Sequence, residues 1–380
     1  MKALLVADVD LGANEGIRKK VLAQARALCA IFGDARIAMG DGEGSVCLEL
    51  PGERVAARGQ GSALQLAAKM VESEKFDLVY VRHTRPSASL LHLLRVGARA
   101  GAQLTYEVPT YPYFAEQLRA SRRPHRALVK IVLDLIFWPA IYRRVDHLFV
   151  VKSRDSVHQF AKMVEITNGV DTSRVRPRSP RPLEDRLRMV TVGTLYPYHG
   201  YDRVLRGLQE CHEKVGDRTI EFHVVGSSPT VDDLREQANA LGLERVVFHG
   251  VKGAVELDDM FDDFDLALGC LALHRRKADI DTTLKVVEYC CRGVPVLTSG
   301  EPPLGPAMPA TIRVASTDEP LDMAWLLGQF DAIGEEDARA QAKLSRSALS
   351  WEAVFRRAFD GAGVLRQVTE DGGAGSATTD

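Results

Sequence analysis

Short β-branched runs alternate with longer amphipathic segments along the chain, the rhythm of βα units whose parallel strands lie buried between helices. The runs predict strands at Ala3–Val9, Arg36–Met39, Leu78–Val81, Leu104–Val108 and Leu148–Val151. Helices are predicted near 15–32, 62–74, 87–100, 125–143 and 153–163. A second series places strands at Met189–Thr194, Glu221–Gly226, Arg245–His249, Asp265–Leu268 and Pro295–Thr298, each followed by a helical pattern. The expected class is α/β, two doubly wound Rossmann-like domains whose carboxyl strand ends face one cleft, where ligands of this architecture bind.

Arg174–Arg188, with three prolines and six arginines, is too polar and too interrupted for a core element and predicts an interdomain loop. From Asp371 no large apolar residue occurs, which predicts a disordered tail over 371–380. Asp8 cuts short the apolar N-terminus, which therefore reads as a strand and not as a secretory signal. The longest apolar run, Ile131–Tyr142, carries Asp134 and Pro139 and falls short of the ~20 residues a membrane span needs.

Composition narrows the function. The 380 residues are 46% hydrophobic and 26% charged with a net charge of -2, so nothing global points to nucleic acid. Six cysteines show neither CxxC pairing nor histidine partners at zinc spacing, which disfavours a disulfide framework or a structural metal and predicts a reducing cytoplasm. Gly40, Gly42 and Gly44 come nearest to a dinucleotide fingerprint, but Ser45 and Cys47 break it, and no glycine-lysine pair exists to form a P-loop. The hydrolase elbow Gly-x-Ser-x-Gly is also missing.

The most informative stretch runs from Asp281 to Leu297, DTTLKVVEYCCRGVPVL. Thr282 or Thr283 can cap a helix, Lys285 and Glu288 lie three apart on one face, and Gly293 ends the helix before a buried strand. Free amides at the helix start would face an anion, with Lys285 adding positive charge beside them. Spacing alone favours a surface ion pair between Lys285 and Glu288, since such pairs are common.

This stretch resembles the donor-binding helix of GT-B glycosyltransferases of the retaining family 4 type. Thr167–Asp171 is similar to their NGVD turn, Val192–Arg203 to the first strand and loop of their nucleotide domain, and Val224–Gly226 with Val247–Gly250 to the next two strands. Trp351–Phe355 resembles the last helix, which crosses back to the first domain. The resemblance implies an acceptor-binding domain over 1–170, a nucleotide-sugar-binding domain over 171–345 and the crossing helix within 346–370. Carried over, Glu288 accepts the ribose hydroxyls. Lys285, with Thr283 and Leu284 at the helix start, holds the diphosphate and offsets charge as the glycosidic bond breaks.

The chain departs from the family at three positions. Ile280 stands where a sugar-binding glutamate is common, and Thr194 and His199 stand where arginine and lysine are common. His199 is expected to compensate as imidazolium, with the basic run Arg275, Arg276 and Lys277 supplying further charge; a solvated basic patch is the alternative. Thr105–Tyr113, TYEVPTYPY, resembles the EIPTYPY segment of family 4 enzymes that assemble surface polysaccharides. It places Glu107 and Tyr111 at the acceptor or sugar, although Glu107 can also serve local amides. Gly12, Asn14 and Gly16 resemble the family's glycine loop beside the acceptor, or shape only a turn.

Residues 119–144 hold seven basic residues against one acidic residue around the apolar run. That composition fits an anionic membrane interface, and a buried crossover helix with basic ends fits it too. The reading is a cytoplasmic, peripherally membrane-associated hexosyltransferase. It would move a sugar, from a UDP-sugar by preference, to a glycan or lipid-linked acceptor with retention, using neither cofactor nor metal nor nucleic acid. A GT-B sugar-nucleotide epimerase and a nucleotide-binding GT-B pseudoenzyme are the alternatives.

Overall fold

The computed structural model describes residues 1–10, 15–112, 124–155, 158–180 and 185–365. The chain divides into two compact units. Unit 1 comprises Met1–Lys152, Ser156–Thr167 and Trp351–Asp380, and unit 2 comprises Ser153–Asp155 and Asn168–Ser350.

Unit 1 begins with β1 (Lys2–Asp10), α1 (Glu15–Phe32), β2 (Asp34–Gly40), β3 (Ser45–Leu50), β4 (Arg54–Gly59) and α2 (Ala63–Ser73). It continues with β5 (Leu78–Arg82), α3 (Ala88–Arg99), β6 (Gln103–Tyr111), α4 (Pro124–Arg144), β7 (His147–Lys152) and β8 (Met163–Ile166). The sheet order is β4-β3-β2-β1-β5-β6-β7-β8, parallel except that β3 runs antiparallel to both β2 and β4 at one edge. Ala3 to Ala7 are fully buried because both faces of a parallel sheet are covered. Leu5 and Ala7 face α1, whereas Leu4 and Val6 face α2 and α3.

Two features of unit 1 differ from the sequence reading. The β3–β4 hairpin was not expected, since its SVCLEL and RVAARG runs are short and charged. The helix expected over 153–163 is not formed by residues 153–155 and 158–162, residues 156 and 157 lie outside the described residues, and edge strand β8 begins at Met163, its Val164 and Glu165 pairing with Phe149 and Val150.

Unit 2 contains β9 (Arg186–Val192), α5 (Tyr201–Glu210), β10 (Lys214–Val215), β11 (Arg218–Val225), α6 (Pro229–Ala240), β12 (Val246–Gly250) and α7 (Ala254–Met260). There follow β13 (Leu266–Leu268), α8 (Leu284–Arg292), β14 (Val296–Thr298), β15 (Thr311–Arg313), α9 (Met323–Asp331) and α10 (Glu335–Ala348). The sheet runs β10-β11-β9-β13-β14-β15 with β12 on β11, and only β10 is antiparallel. The segment read as a loose loop is strapped down instead. Arg178 donates through Nε to the Gly293 carbonyl at 3.0 Å, Arg176 pairs with Asp262 at 2.9 Å, and Arg186–Arg188 already belong to β9. Its arginines satisfy carbonyls and carboxylates that solvation would otherwise serve.

The last helix, α11 (Trp351–Gly361), belongs to unit 1 and packs on α1. Its Phe355 and Phe359 rings meet Tyr80, Phe149 and Phe32 at 5.3, 5.2 and 5.6 Å. Beside this aromatic core lies a buried ionic group. The fully buried Glu107 accepts from Lys20 Nζ at 2.9 Å, Gln24 Nε2 at 2.8 Å and the Tyr80 hydroxyl at 2.9 Å, while Lys20 sits 5.2 Å over the Trp351 ring.

Burial pushes the Glu107 carboxyl up, but Lys20 and Arg82 outweigh it and hold it below the ordinary carboxylate range. The pair's contribution is therefore present above the unfolded carboxylate pKa and is lost as pH falls through the folded value. Lys20→Met strands a buried carboxylate and is expected to cost about 3–5 kcal/mol in urea unfolding at neutral pH. Its deficit should shrink in acid, where the stranded carboxyl takes a proton, and Lys20→Met/Glu107→Leu should recover most of it.

Candidate active site

Strand order in unit 2 reverses between β9, which leads to β11, and β13, which leads to β14. The crevice beyond the carboxyl ends of such a pair is where ligands bind in open α/β sheets. Three segments meet there: the loop after β9, the loop after β13, and the start of α8.

Tyr201 joins them. Its buried hydroxyl accepts from Thr191 Oγ1 at 2.6 Å and shares its proton between the carbonyls of Leu268 and Gly269, both at 2.9 Å. Lys285 Nζ donates to the same hydroxyl at 3.2 Å and lies 5.4 Å from the ring centre. Lys285 therefore does not form the surface pair with Glu288 that spacing allowed; it turns inward to the crevice. Burial pulls its pKa down to about 8, with Cys270 and Asp281 opposing the shift and Arg276 adding to it.

The start of α8 is held by Asp281. This fully buried carboxylate accepts from the Cys270 amide at 2.7 Å and Thr298 Oγ1 at 2.8 Å through Oδ2, and from Thr283 Oγ1 at 2.8 Å through Oδ1. Asn168 Nδ2 donates to the Thr282 carbonyl at 2.7 Å and fixes the approach. Thr283 occupies the N-cap position but makes no side-chain cap, because its hydroxyl is turned to Asp281. The first amides of α8, beginning at Leu284, thus lack a protein cap beside the Lys285 ammonium, and such amides favour an anion.

The remaining expected donor residues separate into three groups. Glu288 receives both Arg292 contacts, 2.9 and 2.8 Å, on Oε1, so Oε2 takes part in neither. In the ligand-free crevice His199 is not the imidazolium that was expected. Burial, followed by Lys285 and Arg276, holds its pKa well below the ordinary value, and its Nδ1 accepts the Tyr196 amide at 3.0 Å. Arg275 is spent on a two-pronged pair with Asp202, at 2.7 and 2.9 Å, and a 2.7 Å bond to Asp318. Lys277 is exposed in a left-handed turn at φ 58°, and Thr194 is exposed on the β9 loop.

Arg276 carries the positive field that was expected of its neighbours. Its guanidinium stacks 5.0 Å over Tyr198 and opposes protonation of both His199 and Lys285. Gly200 brings these loops together: φ is 72°, and a Cβ would stand 2.7 Å from Ala272 Cβ and 2.9 Å from the Ala272 amide nitrogen. Among the described residues no group of three or more His, Cys, Asp or Glu side chains could hold a metal ion.

Residues 186–320, which contain every element of this crevice from β9 to α8, match the family of glycosyl transferases group 1. The whole chain superposes on a sucrose-phosphate synthase from Thermosynechococcus elongatus with TM-score 0.64 and 15% identity over 98% of this chain and 100% of that one. A glycosyltransferase from Rickettsia africae gives 0.60 and 12% over 96% and 98%, and a lipopolysaccharide outer core galactosyltransferase in its apo form gives 0.58 and 11% over 96% and 100%. The fold is GT-B. No curated protein matches the chain in sequence. At these identities the solved structures speak for the fold, and the matched segment supports glycosyl transfer in general.

Among the described residues of the N-terminal GT-B unit, the expected ones do not assemble into a comparable group. Glu107 is enclosed by Lys20, Gln24 and Tyr80, so it is a core ion and not a group that meets substrate. Tyr111 ends β6 half-buried against Phe160 at 6.2 Å, and Gly16 is exposed in the first turn of α1. Gly12 and Asn14 lie outside the described residues. Tyr201 and Asp281 were not picked out as site residues from sequence, whereas Arg276 was named only within the basic run 275–277. The first two lie in YDR and DTT runs whose polar groups give no spacing signal.

Lys285 governs the pH response of the crevice. An anion favours the ammonium, so phosphate-ligand affinity should be steady below about pH 7, apart from titration of the ligand. It should fall as pH rises through about 8, by up to tenfold per unit. Lys285→Met is expected to bind weakly and to lose this alkaline slope, which titration calorimetry between pH 6.5 and 9.5 reads directly.

Proposed function

We propose that the protein transfers a hexose from a nucleotide diphosphate sugar, by preference a UDP-sugar, to an acceptor hydroxyl with retention at the anomeric carbon. The observation that supports this most is the pairing of the half-buried Lys285 ammonium with the uncapped amides of α8 at the β9/β13 crevice. A diphosphate leaving group gains charge as its glycosidic bond breaks, and fixed donors in a partly desolvated crevice stabilise that charge without reorganising. Tyr201 positions Lys285, Asp281 positions the helix, and Glu288 Oε2 is the acceptor offered to a ribose diol. Retention and the surface-glycan setting rest on the family 4 resemblance. The acceptor is a glycan, free or lipid-linked, and the enzyme works in the cytoplasm at the inner membrane face.

One observation favours a second reading, a pseudoenzyme that binds nucleotide without turnover. With His199 neutral and Arg275 committed to carboxylates, the crevice offers fewer cations than the resemblance implies.

Calorimetry against UDP, GDP and ADP should find one nucleotide that binds well. Glu288→Gln, which keeps an oxygen for Arg292, and Lys285→Ala should each weaken it by about 1.5–3 kcal/mol. The matching nucleotide sugar should be consumed in an acceptor-dependent manner. Binding without consumption would establish the pseudoenzyme, rearrangement of the sugar without acceptor the epimerase, and parent-like binding by both variants would remove the site.

A further inference from the structure

The outward face of α4 carries a continuous apolar stripe. Leu128, Val129, Val132, Leu135 and Ile136 are 55, 55, 45, 58 and 64% exposed, and their spacing puts all five on one side of the helix. The opposite side is the packed one, where Ile131 and Ile141 are buried and Phe137 and Trp138 rest on the core of unit 1. A crossover helix in an α/β layer needs only that inner face to be apolar. The five outer side chains are therefore surplus to folding.

Charge decides what could cover them. The one acidic residue between 119 and 144, Asp134, is buried, so no carboxylate of this helix stands on the outer face. Arg143 is exposed and follows Ile136 by seven residues, which sets it on the same stripe at its end, and Pro139 between them is exposed as well. Arg144 Nη1 bonds the Ala140 carbonyl at 2.7 Å near the helix C-terminus. An apolar stripe ending in a cation, with its anion turned inward, is the pattern of a helix lying in an anionic bilayer interface. A second copy fits poorly, because five side chains are far fewer than the ~20–30 residues per side of a stable interface.

We propose that α4 is a membrane-docking surface that sinks Leu128, Val129, Val132, Leu135 and Ile136 among the acyl chains of an anionic lipid leaflet, with Arg143 at the headgroups. No helix among the described residues is long and apolar enough to cross a membrane, so the contact is lateral. The surface gives the lipid-linked acceptor of the proposed function a physical basis and rests on that reading for its role in catalysis, although the lipid contact itself requires no nucleotide.

The full-length protein is sedimented with phosphatidylcholine vesicles, with and without about one quarter phosphatidylglycerol, at low and raised salt. The parent should bind the anionic vesicles at least tenfold more tightly than the neutral ones and weaken with salt. Leu135→Ser/Ile136→Ser should lose tenfold or more, and Arg143→Gln should lose affinity for anionic vesicles only. These positions are exposed, so melting temperatures should stay near the parent's; should the double variant unfold, Ile136→Asn alone serves the same comparison. Equal sedimentation of parent and serine variant, equal binding to both vesicle types, or a concentration-dependent dimer that the serine variant abolishes would each overturn the proposal. Nucleotide binding measured on the same samples separates the two readings: a parent that binds vesicles but no nucleotide sinks the transferase, and the reverse sinks only the docking surface.

Discussion

A single buried carboxylate organises the crevice of unit 2. Asp281 has no solvent, and its two oxygens bind the Cys270 amide, Thr298 Oγ1 and Thr283 Oγ1, tying the ends of β13 and β14 to the start of α8. Because it draws the Thr283 hydroxyl away from the cap position, the same interaction that fixes the helix also leaves its first amides to the crevice. Close packing enforces the arrangement: a Cβ on Gly269 would come within 2.8 Å of Asp281 Oδ2 and 2.7 Å of Val286 Cγ2. Positioning and availability follow from one set of hydrogen bonds.

The crevice is electrostatically tense without a ligand. Lys285 and Arg276 oppose each other's charge, both oppose protonation of His199, and burial adds to the cost for Lys285 and His199. A dianionic diphosphate would relieve all of these at once, since opposite charge in a poorly solvated site favours the ammonium. The strain is thus lodged where binding can release it. Arg275, by contrast, has already found its carboxylates in Asp202 and Asp318, and it holds loops together.

The buried Lys20 and the half-buried Lys285 illustrate how similar chemistry serves different ends. Lys20 meets a carboxylate, Glu107, whose remaining valences are filled by Gln24 and Tyr80, so the group is complete and closed to ligands. Among the described residues Lys285 donates to a phenol and has Asp281 nearby but not in contact, so its charge is under-compensated. A closed ion pair contributes specificity to the core. An under-compensated ammonium at a strand switch point is equipped to bind.

The α/β class, the tandem of doubly wound domains and most strands were legible in the sequence, because buried parallel strands must be continuous apolar runs separated by helical periods. The donor helix was legible too, since Leu284–Arg292, Gly293 and Pro295 carry start, face and stop within one local stretch. What the sequence could not decide is which way a polar side chain turns. Lys285 with Glu288 reads as an ion pair along a helix, and only the burial of Tyr201 beneath it diverts the ammonium inward. Glu107 reads as a strand-end carboxylate, and only α1, seventy residues and more upstream, supplies the lysine that encloses it. Local pattern determines which elements form; partners for charge are chosen across long separations, where tertiary packing alone sets distance and dielectric.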